Sequence, residues 1–116
     1  MELPAQVCHL DMSPSNVLID GDRAVGVLDF EVAGLDLRVT DFVAGLEQTT
    51  DTKLEEDVFV RGFRSRTDLT PEEWEAVPTL RRLRRIATVV WRAGRWREGK
   101  SSLDDVRERL AAIERT

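Results

Sequence analysis

The chain has 116 residues, of which 41% are hydrophobic and 34% charged, with a formal net charge of −5; this suits one globular domain with a modest core and excludes a chain disordered by composition. A single cysteine, Cys8, excludes an intramolecular disulfide and fits a reducing cytoplasm. No apolar run approaches the ~20 residues of a membrane helix, and Met1-Glu2-Leu3-Pro4 lacks the basic start of a signal peptide, so a soluble cytoplasmic protein without a membrane partner is expected.

The charge is unevenly spread. Residues 1–60 hold 3 basic and 13 acidic side chains, and residues 61–116 hold 14 basic and 9 acidic. An acidic half fits a metal or a cationic substrate; two ordinary solvated surfaces fit it as well.

In chain order, Leu3 to Cys8 reads as an entry segment ending in a short buried strand. Within it Cys8 reads as a small buried hydrophobe rather than a reactive thiol. His9-Leu10-Asp11-Met12-Ser13-Pro14-Ser15-Asn16 follows as a loop constrained by Pro14. Val17-Leu18-Ile19 and Ala24-Val25-Gly26-Val27-Leu28 are apolar, β-branched runs flanking Asp20-Gly21-Asp22-Arg23, whose Asp-Gly pair signals a hairpin turn. Antiparallel pairing about Gly21-Asp22 sets Asn16, just before the first strand, near Asp29, just after the second.

That convergence has a chemistry. Asp29 offers a carboxylate and Asn16 a neutral amide oxygen, hard donors that suit Mg²⁺ already carrying phosphate and water. Asp11 is placed to accept a proton from an attacking hydroxyl. Base, metal ligand and metal ligand are the parts of a phosphoryl-transfer site.

His9-x-Asp11, Asn16, the hairpin, Asp29-Phe30-Glu31 and Asp41-Phe42-Val43-Ala44 together resemble the signature of the aminoglycoside phosphotransferase and homoserine/choline kinase-like family, which is similar to the protein kinases. The resemblance implies Asp11 as catalytic base and Asn16 and Asp29 as ligands of the Mg²⁺ that accompanies ATP. It implies His9 as a buttress of the loop and Asp41 as the buried carboxylate that hydrogen-bonds the loop backbone. Leu10 stands where the family usually has glycine, and Glu31 where protein kinases have glycine. The close match covers about the first third of the chain.

Val32 to Thr40 reads as a loop flexing at Gly34. A helix begins near Asp41, with Thr40 or Asp41 as N-cap and Phe42, Val43 and Leu46 as its apolar face. Thr52 caps a second helix running to Phe63, with Leu54, Val58, Phe59 and Phe63 as core. Thr70-Pro71-Glu72-Glu73 is a strong helix start that faces Trp74 and Val77 inward. Pro78 either ends that helix or starts the next.

Thr79 to Trp96 forms an amphipathic, basic run with Leu80, Leu83, Ile86, Ala87 and Val90 on one stripe. Its arginines, including Arg81-Arg82-Leu83-Arg84-Arg85, read as a solvated, salt-bridged face rather than a nucleic-acid surface, because the chain is acidic overall. Trp91 and Trp96 lie about 140° apart around a helix and read as core before ligand. Ser101 or Ser102 caps a final helix with Asp104 and Asp105 in its first turn and Val106, Leu110 and Ile113 on its apolar side.

The expected fold is therefore α+β and mostly α, a kinase-like C-terminal lobe fragment with one catalytic hairpin and about four helices. Residues 1–116 are read as one domain, with the catalytic loop and metal-binding hairpin in residues 1–31 and the helical part in residues 39–116. The expected function is ATP-dependent phosphorylation of a small hydroxyl-bearing molecule. The family's glycine-rich loop and phosphate-binding lysine have no counterpart here, the only lysines being Lys53 and Lys100. The chain thus reads as incomplete, lacking an N-lobe, with a homodimer or a separate N-lobe as partner. Two alternatives are a non-catalytic remnant or binding module of the same fold, and a metal-dependent hydrolase with His9, Asp11, Asp29 and Asp41 as ligands.

Overall fold

The computed structural model describes residues 2–114. The fold is α+β and mostly helical, with two small antiparallel sheets and four α-helices among the described residues. Two compact units divide the chain, residues 1–77 and 78–116.

The first unit opens with β1, Ala5–Cys8, and the hairpin of β2, Val17–Asp20, and β3, Arg23–Val27. The hairpin pairs Val17 with Val27 and Asp20 with Arg23, with a bulge between Leu18 and Ile19. Gly21 takes φ 63° in the turn, a left-handed position that glycine adopts without steric cost. A single 3-10 turn, Pro14–Asn16, leads into β2, started by the fixed φ of Pro14.

The segment around Gly34, read as a loop, is a strand. β4, Gly34–Leu37, pairs antiparallel with β1 from Ala5↔Leu37 to Cys8↔Gly34. The Arg38 N–H continues the ladder to the Pro4 carbonyl at 2.9 Å. Only Cys8 of β1 is buried, and the cross-strand pair Val7 and Leu35 are each 78% exposed, so β1 is not the buried strand expected. Cys8 closes the end of this sheet as a packed thiol. Burial, then the charges of Asp41 and Asp36, push its pKa above the ordinary value.

Helix α1, Arg38–Thr49, leaves directly from β4 and starts three residues before Asp41. Its N-cap is Leu37, whose side chain has no acceptor to cap with, in place of the Thr40 or Asp41 cap expected; the Asp41 carboxylate is committed elsewhere. Val39, Phe42, Val43, Ala44 and Leu46 are buried, so the expected apolar face is the face that packs. Helix α2, Lys53–Arg64, is capped by Thr52, which accepts from the Glu55 N–H at 3.2 Å. Phe59 and Phe63 turn toward Phe42, with centroid separations of 5.6 and 4.8 Å. Leu54 and Val58 remain exposed, since the apolar arc of α2 is wider than the side that meets α1.

Helix α3 spans Pro71–Arg97, with Pro78 inside it rather than at an end. Proline removes one donor from the ladder, and a long helix survives that loss when the flanking turns hold. Its start is a capping box in which the Glu73 N–H donates to Thr70 Oγ1 at 3.2 Å and the Thr70 N–H donates to Glu73 Oε1 at 2.9 Å. Glu73 is fully buried and forms a two-pronged ion pair with Arg38, the Arg38 Nε donating to Oε2 at 3.3 Å and Nη2 to Oε1. Trp74 stacks edge-on against Phe42 at 5.4 Å, which completes an aromatic core around one ring.

The second unit consists of α3 from Pro78 onward and α4, Leu103–Glu114. Ser102 caps α4 by accepting from the Asp105 N–H at 3.1 Å. Asp105 draws in Arg92 at 3.5 Å and Arg109 at 3.7 Å. Here the sequence reading needs correction: Leu83, Ile86, Val90, Trp91 and Trp96 are exposed. Trp91 is a platform for cations instead of core, with the guanidinium groups of Arg92 and Arg95 at 5.1 and 4.9 Å from its ring centroid. No helix among the described residues is long and apolar enough to cross a membrane.

Candidate functional site

The β1–β4 pairing brings the first turns of α1 beside the loop that follows β1. Asp41, in the first turn of α1, therefore reaches back to that loop. Its Oδ2 accepts from the His9 N–H at 3.2 Å and its Oδ1 from the Leu10 N–H at 2.9 Å. Leu10 has φ 70°, a left-handed conformation costly for a branched residue. The carboxylate of Asp41 holds the backbone through that turn.

His9 is buried and uses both ring nitrogens. Nδ1 accepts from the Asp11 N–H at 3.1 Å, so Nε2 carries the proton and donates to the Leu28 carbonyl at 2.7 Å. Phe30 meets the imidazole edge-on at 4.7 Å. The ring thus clamps the loop to the end of β3 and has no nitrogen left for proton transfer to a substrate.

Asp11 comes next, half-buried. The Asn16 Nδ2 donates to the Asp11 carbonyl at 2.7 Å and lies 3.4 Å from Oδ2. The Gln48 Nε2, from the last turn of α1, donates to Asp11 Oδ1 at 3.3 Å. Gln48 carries no sequence signal: it belongs to no motif, and only the fold puts a residue seven positions after Asp41 on the same face of α1.

Asn16 and Asp29 are drawn together by the backbone. The Leu28 N–H donates to the Asn16 carbonyl at 2.8 Å, and Asp29 follows directly at φ 63°, where Asp is better tolerated than most residues. Asn16 spends its Nδ2 on Asp11, which leaves its amide oxygen as the atom able to ligate. Asp29 is exposed.

These atoms bear on the alternative hydrolase reading. The imidazole of His9 and the carboxylate of Asp41 are committed to backbone groups, so neither is available as a metal ligand. Among the described residues no group of three or more His, Cys, Asp or Glu side chains is arranged to hold an ion. The Asn16 amide oxygen and the exposed Asp29 carboxylate are the hard oxygen donors that this end of the hairpin offers.

The chain belongs to the phosphotransferase enzyme family, whose sequence profile matches residues 1–77, the span of the first compact unit. It is 33% identical over 102 residues to a homoserine kinase of Zymomonas mobilis, covering 82% of this chain and 32% of that protein. It is 35% identical over 86 residues to a homoserine kinase of Sinorhizobium medicae, covering 69% and 26%, respectively. A homoserine kinase of Neisseria meningitidis is 32% identical over 90 residues, covering 69% and 28%. The chain thus spans between about a quarter and a third of the length of these relatives.

Proposed function

We propose that this chain supplies the base and metal-ligand half of an ATP-dependent kinase for a small hydroxyl-bearing molecule. Asp11 accepts the proton of the attacking hydroxyl, and Asn16 and Asp29 are the ligands for Mg²⁺. The observation that carries the reading is the Asp11 carboxylate, gripped from Asn16 and Gln48 at 3.3–3.4 Å while its loop hangs from Asp41. A base in phosphoryl transfer acts mainly by position, because the transition state asks little covalent chemistry of the protein. Bound Mg²⁺ would neutralise the charge of the transferring phosphoryl group.

His9 and Asp41 act on the loop, not on the substrate. Homoserine enters the proposal through the relatives' names and is the first substrate to test, alongside other small amino alcohols and aminoglycosides.

A second reading, a non-catalytic binding module that pairs with a separate lobe, is favoured by the exposed apolar faces of β1–β4 and the hairpin, including Val7, Leu35, Ile19 and Val25. Calorimetric titration with Mg-ATP, followed by a phosphorylation assay on the substrate panel, separates the two. Micromolar binding abolished by Asp29→Asn, with phosphate transferred to one hydroxyl substrate, supports the kinase. Binding without transfer, or no binding, supports the module.

A further inference from the structure

We propose that Gln48 is a positioning residue that fixes the rotamer of the Asp11 carboxylate for attack by the substrate hydroxyl; this rests on the reading of Asp11 as the base. The two contacts on the carboxylate come from opposite directions in the chain. Asn16 reaches Oδ2 at 3.4 Å from the turn before β2, and Gln48 reaches Oδ1 at 3.3 Å from the far end of α1. Asn16 alone ties only Oδ2 and leaves Oδ1 without a side-chain donor. With Gln48 added, both oxygens are held.

The placement of Gln48 is set by the same helix that holds the loop. Asp41 and Gln48 are seven residues apart on α1, close to two full turns, and so lie one above the other on the same face. Asp41 takes the backbone of His9 and Leu10, and Gln48 takes the side chain of Asp11. One rigid element therefore fixes both the height of the loop and the orientation of its reactive group.

The state of the other end of Gln48 sets it apart from an ordinary packing residue. Among the described residues its Oε1 has no hydrogen-bond partner and is buried. A glutamine retained for packing alone has no reason to keep its amide on a carboxylate while its carbonyl stays unsatisfied. A buried acceptor without a protein partner calls for an explanation, and the hold of the Gln48 amide on Asp11 Oδ1 supplies one here.

The test uses the full chain and the isosteric variant Gln48→Met. In nuclear magnetic resonance the Asp11 Hα–Hβ couplings of the wild type are expected to show one staggered rotamer, and those of Gln48→Met an average over rotamers. The side-chain amide protons of Gln48 are expected to exchange at least tenfold more slowly than those of Gln6, the only other glutamine, which needs no variant. Where the wild type phosphorylates a hydroxyl substrate, Gln48→Met is expected to lower kcat about tenfold with KM for that substrate unchanged. An unaltered Asp11 rotamer in Gln48→Met, equally fast exchange at Gln48 and Gln6, or an unchanged kcat in an active enzyme would overturn the proposal. If the wild type transfers no phosphate while the rotamer is freed in the variant, the positioning holds and the kinase reading fails.

Discussion

The Leu10 N–H is held by Asp41 Oδ1 at 2.9 Å while Leu10 sits at φ 70°. A left-handed leucine costs ~1–2 kcal/mol relative to the right-handed form, and hydrogen bonds to a charged acceptor return about 1.5–3 kcal/mol each. The second bond, from His9 at 3.2 Å, makes the carboxylate the net winner. Asp41→Asn leaves one acceptor where two N–H groups point and sets an NH₂ against the other. It is expected to destabilise the chain by about 2 kcal/mol, and Asp41→Ala by more, in urea unfolding followed by circular dichroism. A loss below about 0.5 kcal/mol for Asp41→Ala would mean that the loop holds itself.

Leu10 makes a separate prediction, because its φ, not its side chain, is the constraint. Glycine takes a positive φ freely, and β-branched residues take it worst. Leu10→Gly should remain within about 1 kcal/mol of the wild type despite the deleted side chain, whereas Leu10→Val, which removes far less, should lose about 2 kcal/mol. The order Gly above Val in unfolding midpoint is the readout, and the reverse order would contradict the left-handed turn.

Asp29 shares the positive φ, at 63°, and Asn is the substitution that tolerates that geometry while removing the charge. Asp29→Asn is expected to leave the unfolding midpoint unchanged and to weaken Mg-ATP binding at least tenfold in calorimetry. Full retention of Mg²⁺-dependent affinity would remove Asp29 from the ligand set. Asp29→Ala is the poorer probe, because it adds backbone strain to the lost carboxylate.

The Arg38–Glu73 pair predicts an acid sensitivity. The hydrogen bonds from Arg38 hold the Glu73 carboxyl below its ordinary range against an opposing desolvation, and the Thr70 backbone N–H helps. Arg38 in turn is raised by the same partner. A depressed carboxyl stabilises the fold above its unfolded value, about 4.3, and that stability is lost as pH falls through the folded value. Stability should therefore be flat near neutral pH and fall below about pH 4.5. In Glu73→Gln the slope of stability against pH in that window should shrink. Glu73→Ala leaves the Arg38 guanidinium, 26% exposed, without its partner and removes the acceptor of the Thr70 N–H, so the first unit should unfold well before the wild type in denaturant.

The elements that explain these effects differ in how far they could be read from sequence. The starts of α2, α3 and α4 were legible because their chemistry is local: Thr52, Thr70 and Ser102 each accept from an N–H three residues on, whereas α1 starts at Arg38 behind Leu37, which has no side-chain cap bond, and not at the Thr40 or Asp41 cap expected. The hairpin was legible from Asp20-Gly21 and its flanking apolar, β-branched runs. β4 was not, because Gly34-Leu35-Asp36-Leu37 becomes a strand only by pairing with β1, thirty residues upstream. Glu73 looked like a first-turn acid and nothing more, since its partner Arg38 is distant in sequence. The apolar stripe through Leu83, Ile86 and Val90 was legible as a stripe, but periodicity does not say what covers it, and in the second unit these side chains are exposed. Within the candidate site, the motif spacing marked His9, Asp11, Asn16, Asp29 and Asp41, and left Gln48 silent.

Gly45 provides the last test, of how α1 meets α2. A Cβ built there would lie 3.0 Å from Phe59 Cζ and 3.4 Å from Cε2, so the ring would have to give by a few tenths of an ångström. On an open helix face, glycine to alanine gains about 1 kcal/mol from helix propensity. Here the methyl must push back a ring that packs on Phe42 at 5.6 Å, and overpacking of this kind costs ~1–3 kcal/mol. Gly45→Ala should therefore destabilise the chain by about 1 kcal/mol, the opposite of the propensity expectation. In the smaller-ring background Phe59→Leu the same substitution should become neutral or stabilising. The double-mutant cycle measures the coupling directly; a Gly45→Ala chain more stable than wild type would show that the Phe59 ring does not occupy the face of α1 at Gly45.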